Sequence, residues 1–243
     1  MQKYDYTIGT KGTFIFVHGA GGDRSKWRGL MDGLAEGFGG LAIDLAGHGD
    51  SGGEAPTDMN TYALDLIQCV QEVSPARPFI WVGHSMGSGV VLTIALTKPG
   101  ITDYMVLIGA SGRLQINPAV LESIKNGAID PAAKRLGFSP STPDELIEKE
   151  IAADLNISLE PAYHSLLAYN GFDIIDKLPQ INTPACIIVG KDDITAPPQN
   201  AELLLSKLPN ASLTIVEKAG HMIILEQPEA INVCMKKFIE KLI

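Results

Sequence analysis

The pentapeptide Gly83-His84-Ser85-Met86-Gly87 stands directly after the apolar run Phe79-Ile80-Trp81-Val82 and directly before a helical pattern. No other feature constrains the chain as strongly, because this placement demands a sharp strand-to-helix turn with a serine at its apex. Such a turn holds its central residue at strained backbone angles, at a cost of about 1–3 kcal/mol, and side chains two positions either side would collide. Glycine at 83 and 87 removes both side chains. The hydroxyl then projects away from the sheet, and the Met86 N–H, at the helix amino terminus, faces the place where negative charge would develop on a reacting group. Ser88 and Gly89 prolong the small-residue run and let the helix approach the sheet closely. The competing reading, a serine that is only an N-cap, fits a bare pentapeptide better than one that follows a buried strand.

Runs rich in Val, Ile and Phe recur at Thr13–Val17, Leu41–Asp44, Phe79–Val82, Tyr104–Ile108, Ala185–Val189 and Ser212–Val216, each ending in glycine or a polar turn. Between them, apolar spacing predicts helices over Arg24–Glu36, Thr57–Val73, Ser85–Thr97, Gln199–Lys207 and Pro228–Leu242. The alternation predicts an α/β fold: a doubly wound, mostly parallel sheet with helices on both faces and ligands bound beyond the strands' carboxyl ends. From Arg113 to Lys177 no strong strand candidate occurs, only helix-like spacing broken at Asn117-Pro118, Asp130-Pro131 and Ser139-Pro140. We expect residues 113–177 to be a helical cap inserted into a core of residues 1–112 and 178–243. Leu114, Ile116, Leu121, Ile124, Leu136, Phe138, Leu155, Leu159, Tyr163, Leu166 and Leu167 supply its apolar face, either as its own packing core or as a substrate lining.

At 243 residues the chain fits one domain around one large core. Its net charge of -9, with no basic patch, repels phosphate backbones and anionic bilayers, which excludes nucleic-acid and membrane-surface binding and leaves a small-molecule partner. No run of eighteen apolar residues occurs, and Met1–Thr10 has no apolar h-region, so we expect a cytoplasmic protein. Cys69, Cys186 and Cys234 are odd in number and far apart, without the spacing of a zinc site or disulfide framework, and read as buried thiols.

Three further loops carry chemistry. His18-Gly19-Ala20-Gly21-Gly22 follows a strand and leaves backbone N–H groups free, with Ala20 a candidate donor to an oxyanion. A phosphate loop would need a Gly-Lys-Ser/Thr ending, and a dinucleotide fingerprint another spacing; a plain strand-to-helix turn is the simpler alternative. Gly190-Lys191-Asp192-Asp193 closes a strand with two carboxylates, of which at least one caps the following turn while the other is free to hold an imidazole. Gly220-His221 follows the last strand and precedes the helix containing Pro228.

Taken together, these loops resemble the α/β-hydrolase family, in the family's chain order of serine, aspartate, histidine and over nearly the whole chain. The resemblance implies that Ser85 is the nucleophile, His221 the general base and Asp193, fourth residue of a Gly-x-x-Asp turn, the residue that orients the histidine. It places the oxyanion hole at the N–H groups of Ala20 and Met86. His18, His48 and His84 then read as structural and His164 as solvent-facing, and the segment from Asp44 to Ser51 is similar to a structural loop of many members. The family often has two further strands before the one ending at His18, so we expect a sheet shortened at that edge. A serine rather than an aspartate at position 85 separates the chain from the haloalkane dehalogenase and epoxide hydrolase branches. The resemblance thus implies cleavage of a carboxylic ester of small or medium acyl size, with no cofactor and no metal. A thioesterase, lactonase, C–C hydrolase or perhydrolase would use the same residues, and a non-catalytic small-molecule receptor or a lyase would use the same fold.

Overall fold

A computed structural model describes residues 2–128, 130–154 and 158–241. Seven strands form one sheet: β1 (Tyr4–Thr7), β2 (Gly12–Val17), β3 (Phe38–Ile43), β4 (Phe79–His84), β5 (Tyr104–Ile108), β6 (Ala185–Gly190) and β7 (Ala211–Val216). Their order is β1-β3-β2-β4-β5-β6-β7, with β1 antiparallel to β3 and every other neighbouring pair parallel. The helices are α1 (Arg28–Asp32), α2 (Met59–Val73), α3 (Met86–Thr97), α4 (Pro118–Lys125), α5 (Pro131–Arg135), α6 (Asp144–Asp154), α7 (Glu160–Tyr169), α8 (Pro198–Lys207), α9 (Ile223–Glu226) and α10 (Pro228–Glu240).

Side chains alternate between faces along each strand, and the core divides by that parity. Ile15, Trp81, Leu107 and Ile187 pack with Leu66 of α2, Val90 of α3 and Leu204 of α8. Phe16, Val82, Val106 and Ile188 point the other way, to Leu30 of α1 and Ile231 and Met235 of α10. Each such side chain contributes about 1.5–3 kcal/mol from burial. Helices therefore cover both faces, as every-position burial of β2, β4 and β6 requires. From β2 the chain runs to β3 on one side and then past β2 to β4 on the other. The order reverses between β2 and β4, and the crevice beyond their carboxyl ends is the ligand-binding position of such a sheet. His18–Gly22 and Ser85 both stand there.

The edge is shortened as expected: a single strand, the antiparallel β1, precedes β2 where the family often has two, held by the register Tyr4↔Ile43 to Thr7↔Gly40. One local expectation changes. The helix expected over Arg24–Glu36 is a 3-10 turn, Arg24–Trp27, followed by the short α1. Arg24 is pinned by its N–H to Asp44 Oδ1 at 2.7 Å and by ion pairs with Asp5, Asp44 and Asp50, and Gly33 ends α1. Helices α4 to α7 fall between β5 and β6, and among the described residues of 113–177 the only extended pairing is the isolated bridge Arg113↔Asp173. Leu155, assigned to the insertion's apolar face, and Leu242, expected to end the last helix, lie outside the described residues. Cys69 and Cys186 are buried, Cys234 is half-buried, and all three are free. Among the described residues no helix is long and apolar enough to cross a membrane.

Candidate active site

Ser85 sits between β4 and α3 with φ 53° and ψ −122°. This is a left-handed backbone region that costs a serine about 1–3 kcal/mol and persists only when the surroundings enforce it. They do: Ser85 N–H donates to Ile108 O at 2.9 Å, and Ser88 Oγ donates to Gly83 O at 2.7 Å. A Cβ on Gly83 would lie 2.5 Å from Ser88 N, and one on Gly87 would lie 2.2 Å from Val17 O. Only glycine lets the turn close onto β2 and its own helix.

The turn brings three residues into one hydrogen-bonded line. His221 Nε2 is 2.9 Å from Ser85 Oγ, and His221 Nδ1 is 2.8 Å from Asp193 Oδ2. A carboxylate only accepts, so Nδ1 carries the proton and Nε2 is left to accept from the serine hydroxyl. Asp193 is buried, and its other oxygen accepts from the N–H groups of Thr195 at 2.9 Å and Ala196 at 2.8 Å. Asp192 is turned elsewhere, accepting from Ser139 Oγ at 2.6 Å. The arrangement can draw the hydroxyl proton onto an imidazole whose new charge has a carboxylate behind it.

The loop after β2 lies against Ser85, since a Cβ on Gly19 would come within 3.1 Å of Ser85 Cβ. Gly19 O accepts from His18 Nδ1–H at 2.8 Å and from Gly22 N–H at 3.1 Å. A trans peptide points its N–H opposite to its carbonyl, so anchoring Gly19 O turns the Ala20 N–H the other way. Among the described residues that N–H has no acceptor, and the first-turn N–H of Met86 has no intrahelical one.

The other histidines are braces. His18 Nε2 accepts from Leu45 N–H at 3.0 Å, and burial pushes its imidazole down to about 3. His84 Nε2–H donates to His221 O at 2.8 Å, and burial lowers it likewise to about 3. His48 donates from Nδ1 to Ala46 O at 3.0 Å and accepts at Nε2 from Ser165 Oγ of α7 at 2.8 Å, also lowered by burial. His164 is half-buried, its ring 5.9 Å from that of Tyr163.

Ser85, His221 and Ala20 open into a cavity of about 250 Å³. Of the apolar residues expected to face inward from the insertion, Phe138 and Leu166 line it; Ile151 and Ala133 join them, with Met222 and Ile224 from the core. Lys26, Lys134, Glu150 and Asp154 form a charged part of the wall, and the glycine-rich loop from His18 to Gly22, with His84, Gly137 and Thr195, supplies the rest.

The sequence profile of the alpha/beta hydrolase family matches residues 14–232. The chain belongs to that family. Among curated relatives, a protein of Agrobacterium fabrum named, provisionally, carbamate hydrolase RutD is 24% identical across 93% of this chain and 92% of its own. The (E)-2-((N-methylformamido)methylene)succinate hydrolase of Acinetobacter baylyi is 25% identical across 93% of this chain and 89% of its own. Among solved structures, the esterase EaEST of Exiguobacterium antarcticum matches with a TM-score of 0.88 at 20% identity, covering 98% of this chain and 95% of that one. That likeness is one of fold.

In this alpha/beta hydrolase, two groups at the site escaped the sequence reading. One is the charged part of the cavity wall. The other is Glu226 at the end of α9: Oε2 accepts from Gly220 N–H at 2.8 Å, and Oε1 from Ser139 N–H at 2.7 Å and from Thr142 Oγ1. With Ser139 on Asp192 and Met222 N–H on Gly137 O at 3.0 Å, the segment 137–142 between β5 and β6 is strapped to the loops of both Asp193 and His221. A Cβ on Gly220 would lie 2.6 Å from the Phe138 carbonyl carbon. The signal available was slight: a glutamate five residues after His221, before Gln227-Pro228.

Proposed function

We propose that the protein is a serine hydrolase that cleaves a carboxylic ester of small or medium acyl size through an acyl-enzyme on Ser85. The observation that carries this reading is the unbroken hydrogen-bond line from Ser85 Oγ through His221 to Asp193, opening into a cavity. An unassisted serine hydroxyl is a poor nucleophile near neutral pH. In this reading His221 Nε2 takes its proton as Oγ bonds to the carbonyl carbon, and Asp193 steadies the imidazolium. The carbonyl oxygen, now negative, is received by the N–H groups of Ala20 and Met86, each worth about 10²–10³ in turnover. The tetrahedral adduct collapses, and the departing alkoxide takes the proton from His221. Water, deprotonated by His221, then attacks the acyl carbon; the acid leaves and Ser85 recovers its proton.

An ester suits this machinery because its alkoxide needs a single proton, the one His221 has just received. Residues 113–177 act as a cap on a core of residues 1–112 and 178–243, a role supported by Phe138, Ile151 and Leu166 lining the cavity. The test is turnover of p-nitrophenyl esters with acyl chains of increasing length. Wild type should release nitrophenolate repeatedly, and Ser85→Ala should release none while keeping its melting temperature. Undiminished turnover by Ser85→Ala removes the assignment.

A further inference from the structure

The charged part of the cavity wall has no duty in the chemistry just described. Lys26 comes from the 3-10 turn after the glycine-rich loop, Lys134 from α5, and Glu150 and Asp154 from successive turns of α6, one above the other on the same helix face. The side chains of Lys26, Glu150 and Asp154 are 13%, 14% and 13% exposed. Lys26 Nζ is 2.5 Å from Glu150 Oε2, and Lys134 Nζ is 2.6 Å from Asp154 Oδ2. Lys26 Nζ to Asp154 Oδ1 is 3.6 Å, beyond a hydrogen bond.

Among the described residues the hydrogen-bonding capacity of these groups is far from used up: each ammonium has three N–H donors and employs one. Glu150 Oε1 and Asp154 Oδ1 accept no hydrogen bond among the described residues. Two ammonium and two carboxylate groups cancel, so neither an anion nor a cation is favoured overall. Donors and acceptors stand side by side. An alkyl chain filling this region would strip the four groups of solvent and return no hydrogen bond, which penalises an apolar occupant. A neutral group with both an acceptor and donors, of which a primary carboxamide is the simplest, bonds to an ammonium through its oxygen and to a carboxylate through its N–H.

We propose that the substrates of this protein carry such a neutral group that both donates and accepts hydrogen bonds, and that Lys26, Glu150 and Asp154 are the specificity-determining residues that read it. The inference rests on the serine-esterase reading above and narrows its substrate class. Two matched series test it: p-nitrophenyl hexanoates, and butyrates of pentanol, each with the far end of the varied chain as methyl, carboxamide, carboxylate or ammonium. In at least one series kcat/KM for the carboxamide should exceed that for the methyl end by about tenfold or more, as a site built for hydrogen bonds discriminates. In the charge-balanced variant Lys26→Met with Glu150→Leu that ratio should fall to within about twofold. Because it is a ratio measured on one preparation, partial misfolding of the variant does not mimic the result.

A ratio near one in both series, with methyl-ended esters turned over in a Ser85-dependent way, overturns the inference and leaves the esterase reading standing. A clear preference for the carboxylate or ammonium end overturns the neutral class. A carboxamide preference that survives in the double variant overturns the assignment to these residues. If no ester in either series is turned over, the esterase reading falls and the inference with it.

Discussion

Lowering the pH from about 7.5 to about 5 should strip this fold of a large part of its stability. His18 and His84 are both buried, and that burial is the largest cause holding their imidazoles down to about 3. For His18 the hydrogen bonds give the same answer. His18 Nε2 accepts from Leu45 N–H, so a proton there would set donor against donor, and Nδ1 is already spent on Gly19 O. In the unfolded chain both rings titrate near about 6.5. Between the two values the unfolded chain binds more protons, so stability rises with pH through this window and is lost as acid is added. Above about pH 7.5 neither ring contributes an appreciable slope. At about pH 5 each costs about 2 kcal/mol and the pair about 4 kcal/mol. For a chain of this length that is a fall of about 8–16 °C in Tm. His48 acts in the same direction. Differential scanning calorimetry at fixed ionic strength measures the slope. His84→Gln, whose amide N–H can still reach His221 O, should remove about half of the two-ring loss. A Tm constant to about 2 °C across this range would refute the claim that these rings are locked neutral.

Three mutations probe the site more locally. Asp193→Asn should lower kcat by about 10⁴, because an amide no longer holds Nδ1–H in place, whereas Asp192→Asn, whose parent carboxylate bonds Ser139 instead, should stay within about tenfold of wild type by the same assay. Gly87→Ala pushes a Cβ to 2.2 Å from Val17 O and 2.7 Å from His18 O; urea unfolding should show a loss of about 3 kcal/mol or more. Glu226→Gln must turn an amide N–H toward the N–H of either Gly220 or Ser139, costing about 1–3 kcal/mol of stability. Steady-state kinetics should show kcat reduced and KM little changed if this side chain aligns the His221 loop.

The strand-to-helix turn was legible because sterics leave it few sequences: Gly83 and Gly87 are the positions where a Cβ meets backbone at 2.5 and 2.2 Å. The central strands announced themselves through continuous Val, Ile and Phe, since both faces of β4 and β6 are covered. β1 did not, because Tyr4–Thr7 is an exposed edge whose order comes from pairing with β3 rather than from its own apolar pattern. The choice between Asp192 and Asp193 leaned on family resemblance, as two adjacent identical residues differ only in where the backbone aims them. Lys26 and Glu150 are 124 positions apart, and neither carries a local signature. Their meeting depends on how α6 packs over the core, which no spacing rule encodes. The helix Arg24–Glu36 was overread for a related reason: Arg24 is fixed by carboxylates from β1 and from the loop after β3, and that tertiary anchoring overrides the periodic pattern.

Intact-mass and peptide mapping after treatment with a fluorophosphonate interrogates the nucleophile itself. One adduct per chain should appear, on the peptide containing Ser85, absent in Ser85→Ala and slowed by orders of magnitude in His221→Gln. An adduct on another residue, or labelling at the same rate when His221 is replaced, would contradict a serine activated by that imidazole.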